Sequence, residues 1–595
     1  MDPEKANLVQ REARQPQPRR KLSKPMYWAI AAASLVVYRY ATTHLPLPSF
    51  SSLTGILPPK HPLPPRCPQV EPLFPSNQSA RLNEMDKVFD GEQFHDLSVA
   101  RLSGAVKIPS VSYDDLGPIG EDKRWDVMYD FAEYLKVTYP RIHSELKLET
   151  VNTHGLFYTW EGSNTTLKPT LLMAHQDVVP VPDATVDAWT HPPFSGHYDG
   201  KYVWGRGSSD CKNQLTAIMS AVEALLEADF KPTRTVLLSF GFDEEVSGPQ
   251  GAGHLAPFIQ DRYGDDSVAV IVDEGSTFST VFGKTMALPG VGEKGYTDVH
   301  VTIRMPGGHS SIPPDHTSIG VLSELITLIE DDKYPTFLDR ESNPYYGLLQ
   351  CSAAHAPHFP HDLRKHLDTK PKKCHDKLAL KAAEIGGPAI KYLMQVSTLT
   401  LIILPSLATS SESDTLPQTS IAVDIINGGV KVNALPERVT ATINHRINIG
   451  EHPSTVHAKV SKLAGHIASK YNLTLHAFDG KEEPRSISLT SSADHDLEPA
   501  PVTPTSGDVW DVLSGTTRGL YPDVVMAPGI MTGNTDTRYY WGLSRHIFRF
   551  GPGWVPGQEG LGLIHTVDEH QSVAAHINAV KWFSIFIRNM DEAEL

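Results

Sequence analysis

Between residues 169 and 275 three short apolar runs each stop at an acid or an imidazole. Residues 169–174 stop at His175, residues 236–240 stop just before Asp243, Glu244 and Glu245, and residues 268–272 stop at Asp273 and Glu274. Unbroken apolar runs of this length, separated by helical patterns, belong to strands buried on both faces of a parallel sheet. Such sheets bind their ligands beyond the carboxyl ends of the strands. The pattern predicts an α/β fold in which three strand ends bring His, Glu-Glu and Asp-Glu to one rim. Asp210 joins them from just ahead of a helix over 214–227, whose Leu215, Ile218, Met219, Val222, Leu225 and Leu226 share one face.

An oxygen-rich set with sparse imidazole suits zinc, manganese or cobalt better than a thiolate site would. One carboxylate too many for a single ion points to two ions bridged by a carboxylate. Taken singly, each residue reads equally well as a surface acid or a satisfied histidine, and Asp210 as a helix cap. The set as a whole carries the argument. HQD at 175–177, GRGSSD at 205–210, DEE at 243–245, VDEG at 272–275 and IHTVDE at 564–569 resemble, in the same order, the M20 metallopeptidases. The resemblance spans residues 85–590 and is greatest to the branch of vacuolar carboxypeptidases and secreted N-acyl-amino-acid hydrolases.

That resemblance implies two zinc ions, with cobalt or manganese as substitutes. His175, Asp210 and Asp273 would hold one, and Asp210, Glu245 and His565 the other. Strand register alone does not separate Asp273 from Glu274. Glu244 is implied as the general base, and Asp177 as the partner that orients His175 through its second ring nitrogen. A cis peptide after Asp210 is implied too. His309, reaching the carbonyl oxygen across a dimer interface, Asn433 and Arg446 on the carboxylate, and the pocket loop at Gly533 are the implied substrate contacts.

A chain of 595 residues exceeds one compact core and requires at least two domains. Residues 82–292 form the expected first catalytic segment. Beyond Gly292 the alternating VGEKGYTDVHVTIRM, TSIAVDIINGG and RVTATINHRI read as half-exposed antiparallel strands. With helices over 319–330 and 455–470 they predict an inserted α+β lid over 293–486, which the resemblance makes a dimerisation domain. Residues 343–411 are expected to elaborate that lid. Their apolar LMQVSTLTLIILP is too short to cross a bilayer and reads as core. Residues 487–595 return to the catalytic domain and close with a helix carrying Val573, Ile577, Val580, Phe583 and Ile587.

Ahead of all this, a basic tail (1–25) precedes an apolar segment (26–45) and a Pro-rich stretch (46–81). The expected arrangement is a cytosolic tail, an uncleaved signal anchor and an extended stalk, with the rest in the vacuole lumen. Secretion after signal-peptide cleavage is the alternative. Sequons at Asn77, Asn164 and Asn472 add little weight. A net charge of −16 argues against a nucleic-acid partner. Four cysteines make no disulfide framework; Cys351 and Cys374 either pair or remain free thiols.

The expected activity is metallo-exopeptidase cleavage of the C-terminal amide bond of small peptides. N-acyl amino acids are the alternative substrate. Because no member of the set is missing, a non-catalytic binding protein on the same scaffold is disfavoured.

Overall fold

A computed structural model describes residues 66–334, 338–367, 377–379, 381–382, 419–491, 496–558 and 560–595. The three apolar runs form the strands Thr170–His175, Val236–Gly241 and Val270–Ser276. They are adjacent and parallel, with Thr170–His175 in the middle. Alternation divides their side chains between two layers. Leu172, Leu238 and Val272 pack under the helices Lys212–Glu227 and Val573–Glu592, while Leu171, Leu237 and Ile271 pack against Ala252–Tyr263. Coverage on both faces is why these runs are apolar throughout.

The eight-stranded sheet is parallel at its centre and mixed towards its edges. Gly155–Trp160 and Lys147–Val151 add antiparallel on one side. On the other, Ile547–Phe550 runs parallel to Val270–Ser276, Gly290–Glu293 antiparallel to Ile547–Phe550, and Gly529–Met531 parallel to Gly290–Glu293. The antiparallel edge at Lys147–Trp160 is a hairpin too short for a crossover helix, turning through Asn152 and Thr153 at positive φ.

The lid sheet has five strands, ordered Ala422–Gly428, Arg438–Ile447, Gly295–Arg304, Ser486–Thr490 and Thr474–Ala477. Its helices Ser318–Asp331 and Pro453–Tyr471 close a core of their own around Val301, Leu325, Ile443 and Val460.

Three expectations change. Ile487 and Leu489 sit in the lid core, paired with Ile303 and Val301, so the return to the catalytic part begins after Thr490 and not at 487. The described part of 343–411 does not elaborate the lid. Its helix Pro344–His355 packs Leu348, Leu349 and Cys351 against Met286, Leu288 and Val525 of the catalytic part. Residues 66–79 are not an extended stalk either. Leu73 N–H donates to the Gly515 carbonyl, Gln69 pairs with Met526, and Cys67 is disulfide-bonded to Cys351. Cys374, the other candidate partner, lies outside the described residues, as do the anchor, the rest of the stalk and LMQVSTLTLIILP. Among the described residues no helix is long and apolar enough to cross a membrane.

The bond closes a loop of 284 residues and holds the Pro344–His355 helix from outside the sheet. Cys351→Ser should therefore lower stability by about 2–4 kcal/mol. The check is thermal unfolding with and without reductant. Reductant should lower the midpoint of the wild type towards that of the variant and leave the variant unmoved.

Candidate metal centre

His175 is the last residue of the central strand and is fully enclosed. Its Nδ1 lies 3.0 Å from the Asp177 carbonyl oxygen and 3.3 Å from the Asp177 carboxylate. Oxygens of these kinds accept, so Nδ1 carries a proton, and Nε2 is the ring nitrogen left to meet an ion. Nε2 faces Asp210 Oδ1 at 3.2 Å and Glu274 Oε1 at 3.4 Å. The other Asp210 oxygen faces His565 Nε2 at 3.1 Å, which in turn lies 3.1 Å from Glu245 Oε2. Two groups of ligand-type atoms thus form, each within 4.8 Å: His175, Asp210 and Glu274 with the Cys211 thiol, and Asp210, Glu245 and His565. Burial raises the Cys211 thiol well above its usual range, so it stays protonated and leaves oxygen and imidazole as the donors.

Backbone donors hold these side chains in place. The buried Asp177 carboxylate accepts from Ser112 Oγ at 2.6 Å and from the N–H groups of Glu244 and Glu245 at 3.1 Å each. One carboxylate therefore orients His175 and fixes the turn that carries both glutamates. Asp243, also buried, accepts from the N–H groups of Gln250 and Gly251 and closes that turn. Glu569 does the same for the GRGSSD loop. Its Oε1 accepts from Gly207, Ser209 and Asp210 N–H, while Oε2 is 2.5 Å from Arg206. The Asp210–Cys211 peptide is cis.

The electrostatics describe a site built around positive charge. Burial pushes Glu244 well above the usual carboxylate range, with Glu274 and Glu245 adding to the shift. Burial and then Asp210 push Glu274 to about 8 and also raise Glu245. Burial opposes charging His565, but Asp210 and Glu245 outweigh it and raise the ring to about 10. Glu245 Oε1 is enclosed and lacks a hydrogen-bond partner. Converging acceptors, an orphaned carboxylate oxygen and a mixed oxygen–imidazole donor set fit two divalent cations.

Residues 171–589 match the profile of peptidase family M20/M25/M40. The chain belongs to that family. It is 41% identical over 548 residues to Carboxypeptidase S of Saccharomyces cerevisiae, covering 89% of each chain. It is 31% identical to the N-fatty-acyl-amino acid synthase/hydrolase PM20D1 of Mus musculus, covering 82% of this chain and 87% of that one. Human carnosine dipeptidase 1 has the same fold, with a TM-score of 0.57 at 16% identity over 87% of this chain and 100% of that one. This M20/M25/M40 member is a metal-dependent hydrolase of the metallocarboxypeptidase class.

One expected ligand of this M20/M25/M40 member is displaced. Asp273 is buried but outside both groups, and its neighbour Glu274 takes the place beside His175. Neighbours on an extended strand point to opposite sides, so only one of them can reach the rim. Asp273 instead lies among Glu293, Arg549 and Asp536, and burial raises it to about 7.

Around the groups lies a cavity of about 230 Å³, lined in part by Asp210, Glu244, Glu245, Glu274, Gly533 and His565. Of the four expected substrate contacts, only Gly533 lines it. His309 and Asn433 lie together on the lid, exposed, where Gly308–His309 pairs with Ala434–Leu435. Arg446 is on the lid strand Arg438–Ile447, its guanidinium over the Tyr296 ring at 5.3 Å.

Arg538 was not anticipated. Its guanidinium lies 5.8 Å from the same ring, and the charge of Glu244 acts on it. Its sequence signal, TDTRYY, is an ordinary polar loop. Glu569 was also missed, although it stands in the IHTVDE stretch; an acid that collects backbone donors has no spacing of its own.

Asp177→Asn replaces one accepting oxygen with a donor, leaving a backbone N–H of the glutamate turn without its partner. Zinc affinity should fall roughly 10–100-fold and stability by about 1–3 kcal/mol. Competitive chelator titration and thermal unfolding measure the two separately.

Proposed function

We propose that this chain is a dinuclear-zinc carboxypeptidase that cleaves the C-terminal amide bond of small peptides in the vacuole lumen. The observation that carries the reading is the single carboxylate of Asp210 shared between two acceptor groups, with Glu244 beside them. In this reading His175, Asp210 and Glu274 hold one ion, and Asp210, Glu245 and His565 the other. When bound, the ions supply Lewis-acid polarisation of the amide carbonyl and lower the pKa of the attacking water.

Glu244 takes the proton of that water and passes it to the leaving amine. Its burial among Glu274 and Glu245 raises its proton affinity, and a base that must also act as an acid needs this. Asp177 fixes the backbone of Glu244, so the carboxylate is held in place before substrate arrives. The carboxylate end of the substrate lies towards Tyr296, where Arg446 and Arg538 supply two cations.

His309 and Asn433 serve a second protomer's cleft in a homodimer formed through the lid. Support comes from the exposed Ile425 and Ile426 on the edge strand Ala422–Gly428 and from Val430 and Val432 just beyond it. A sheet edge this apolar and uncovered is suited to pairing with another copy.

The Cys67–Cys351 disulfide supports an oxidising compartment, which the vacuole lumen and the secreted alternative both provide. Residues 26–45 would anchor the chain in the vacuolar membrane. Similarity to the N-fatty-acyl-amino acid synthase/hydrolase keeps N-acyl amino acids as a second substrate class for the same site.

Two measurements test this reading. Glu244→Gln should keep its zinc and its fold while activity drops at least about 100-fold; near-normal turnover with zinc retained would remove Glu244 from the role. Arg446→Lys keeps the charge but loses the two-pronged grip on a carboxylate. The ratio of kcat/KM for free-acid over C-terminal-amide substrates should fall about tenfold or more. An unchanged ratio would free Arg446 from carboxylate recognition.

A further inference from the structure

Past Glu274 the chain does not leave the site at once. It continues as the strand Phe278–Val281, folds back as Lys284–Ala287, and Val525–Met526 completes a small three-stranded sheet. The helix Pro344–His355 lies against this sheet, held there by Cys351 and by Leu348 and Leu349. Between the helix and the chain at 276–282 and 528–530 is a second cavity of about 120 Å³, walled by Phe278, Leu288, Leu348, Leu349 and Ile530. Thr277 and Gly560 line this cavity and the metal-centre cavity alike, so the two adjoin.

The chemistry of the second cavity is unlike that of the first. No charged side chain lines it among the described residues. The Thr277 hydroxyl at the junction donates to the Gly551 carbonyl at 2.9 Å, and Ser352 Oγ turns to Met286 Sδ. Both of these hydroxyls have committed their proton. Although Ser276, Ser279, Thr280 and Tyr345 add further hydroxyls to the lining, a charged group entering would give up its hydration without a charged partner. A hydrocarbon entering from the metal centre loses nothing and leaves water.

We propose that this compartment binds the apolar hydrocarbon attached to the acyl carbon of the scissile amide. The assignment rests on the hydrolase reading above. The acyl side is chosen because the cations suited to the carboxylate end stand at Tyr296, where the lid begins, and this compartment belongs wholly to the catalytic part. Two substrates present such a hydrocarbon: the chain of an N-acyl amino acid and the side chain of a penultimate residue. Residues 343–355 thereby become part of the substrate site, a task no spacing in the sequence suggested.

The experiment uses the full zinc-loaded chain with two series sharing one C-terminal amino acid. One series is N-acetyl, N-hexanoyl and N-decanoyl; the other is Gly, norvalyl and norleucyl dipeptides. In the wild type kcat/KM should rise roughly threefold per added methylene until the compartment fills. A rise in the acyl series alone assigns it to acyl chains, and a rise in the dipeptides alone to side chains.

Leu348→Trp, which fills the compartment, should cut the longest responsive substrate at least about tenfold while acetyl and Gly substrates stay within about twofold. Leu348→Ala should move the plateau to longer chains. Should Leu348→Trp fail to fold, Ser352→Leu fills the same space from the next helical turn. A wild type that hydrolyses the short substrates but shows no length dependence overturns the proposal. So does a folded filling variant that slows every substrate equally. Hydrolysis of neither series by the zinc-loaded wild type would instead overturn the hydrolase reading itself.

Discussion

Repulsion among enclosed carboxylates is the constraint around which this molecule is arranged. Asp210, Glu245 and Glu274 arrive from three different segments and converge within a few ångströms around His175 and His565, with Glu244 next to Glu245 in the same turn and lining the same cavity. Burial raises three of the four acids, and the crowd of negative charge raises His565. Divalent cations held there would relieve that repulsion. The rest of the catalytic part holds the converging groups in place.

It does so with further buried carboxylates that collect backbone donors. Asp177 takes two N–H groups and a hydroxyl, Asp243 takes two N–H groups, and Glu569 takes three with Arg206 beside it. A buried N–H without an acceptor is costly, so each such carboxylate locks the loop it serves. The junction with the lid uses the same device. Glu293 ends the last catalytic strand before the lid and is enclosed with Arg549, and its two oxygens also accept from Thr535 and Thr537. The loop carrying Gly533 and Arg538 is thereby tied to the point where the lid strand begins.

The central strands, the helix after Asp210, the lid helices and the closing helix were legible because each depends on a short-range period. A strand covered on both faces must be apolar throughout, and a helix on a core must show an apolar stripe. Most of the metal-centre residues were legible too, but by resemblance and order. Spacing alone left Asp210 open between cap and ligand. The choice between Asp273 and Glu274 failed because adjacent strand residues differ only in which side they face, and the hydrogen-bonding register with neighbouring strands sets that side.

The sequence by itself determined that the central runs and the alternating lid stretches are strands, and that the segments after Asp210, in the lid and at the close are helices. It also determined that more than one core is needed and that acids and imidazoles gather at strand ends, because burial acts on composition residue by residue. Only the tertiary structure decided that Glu274 and not Asp273 meets His175, that Ile487 belongs to the lid, and that Cys67 reaches Cys351. It also decided that Arg538 joins Arg446 at Tyr296 and that the Pro344–His355 helix closes an apolar compartment beside the metal centre. Each of these is a contact between segments distant in the chain. Its partner is chosen by how sheets and helices pack, and nothing in the local pattern of either segment records that choice.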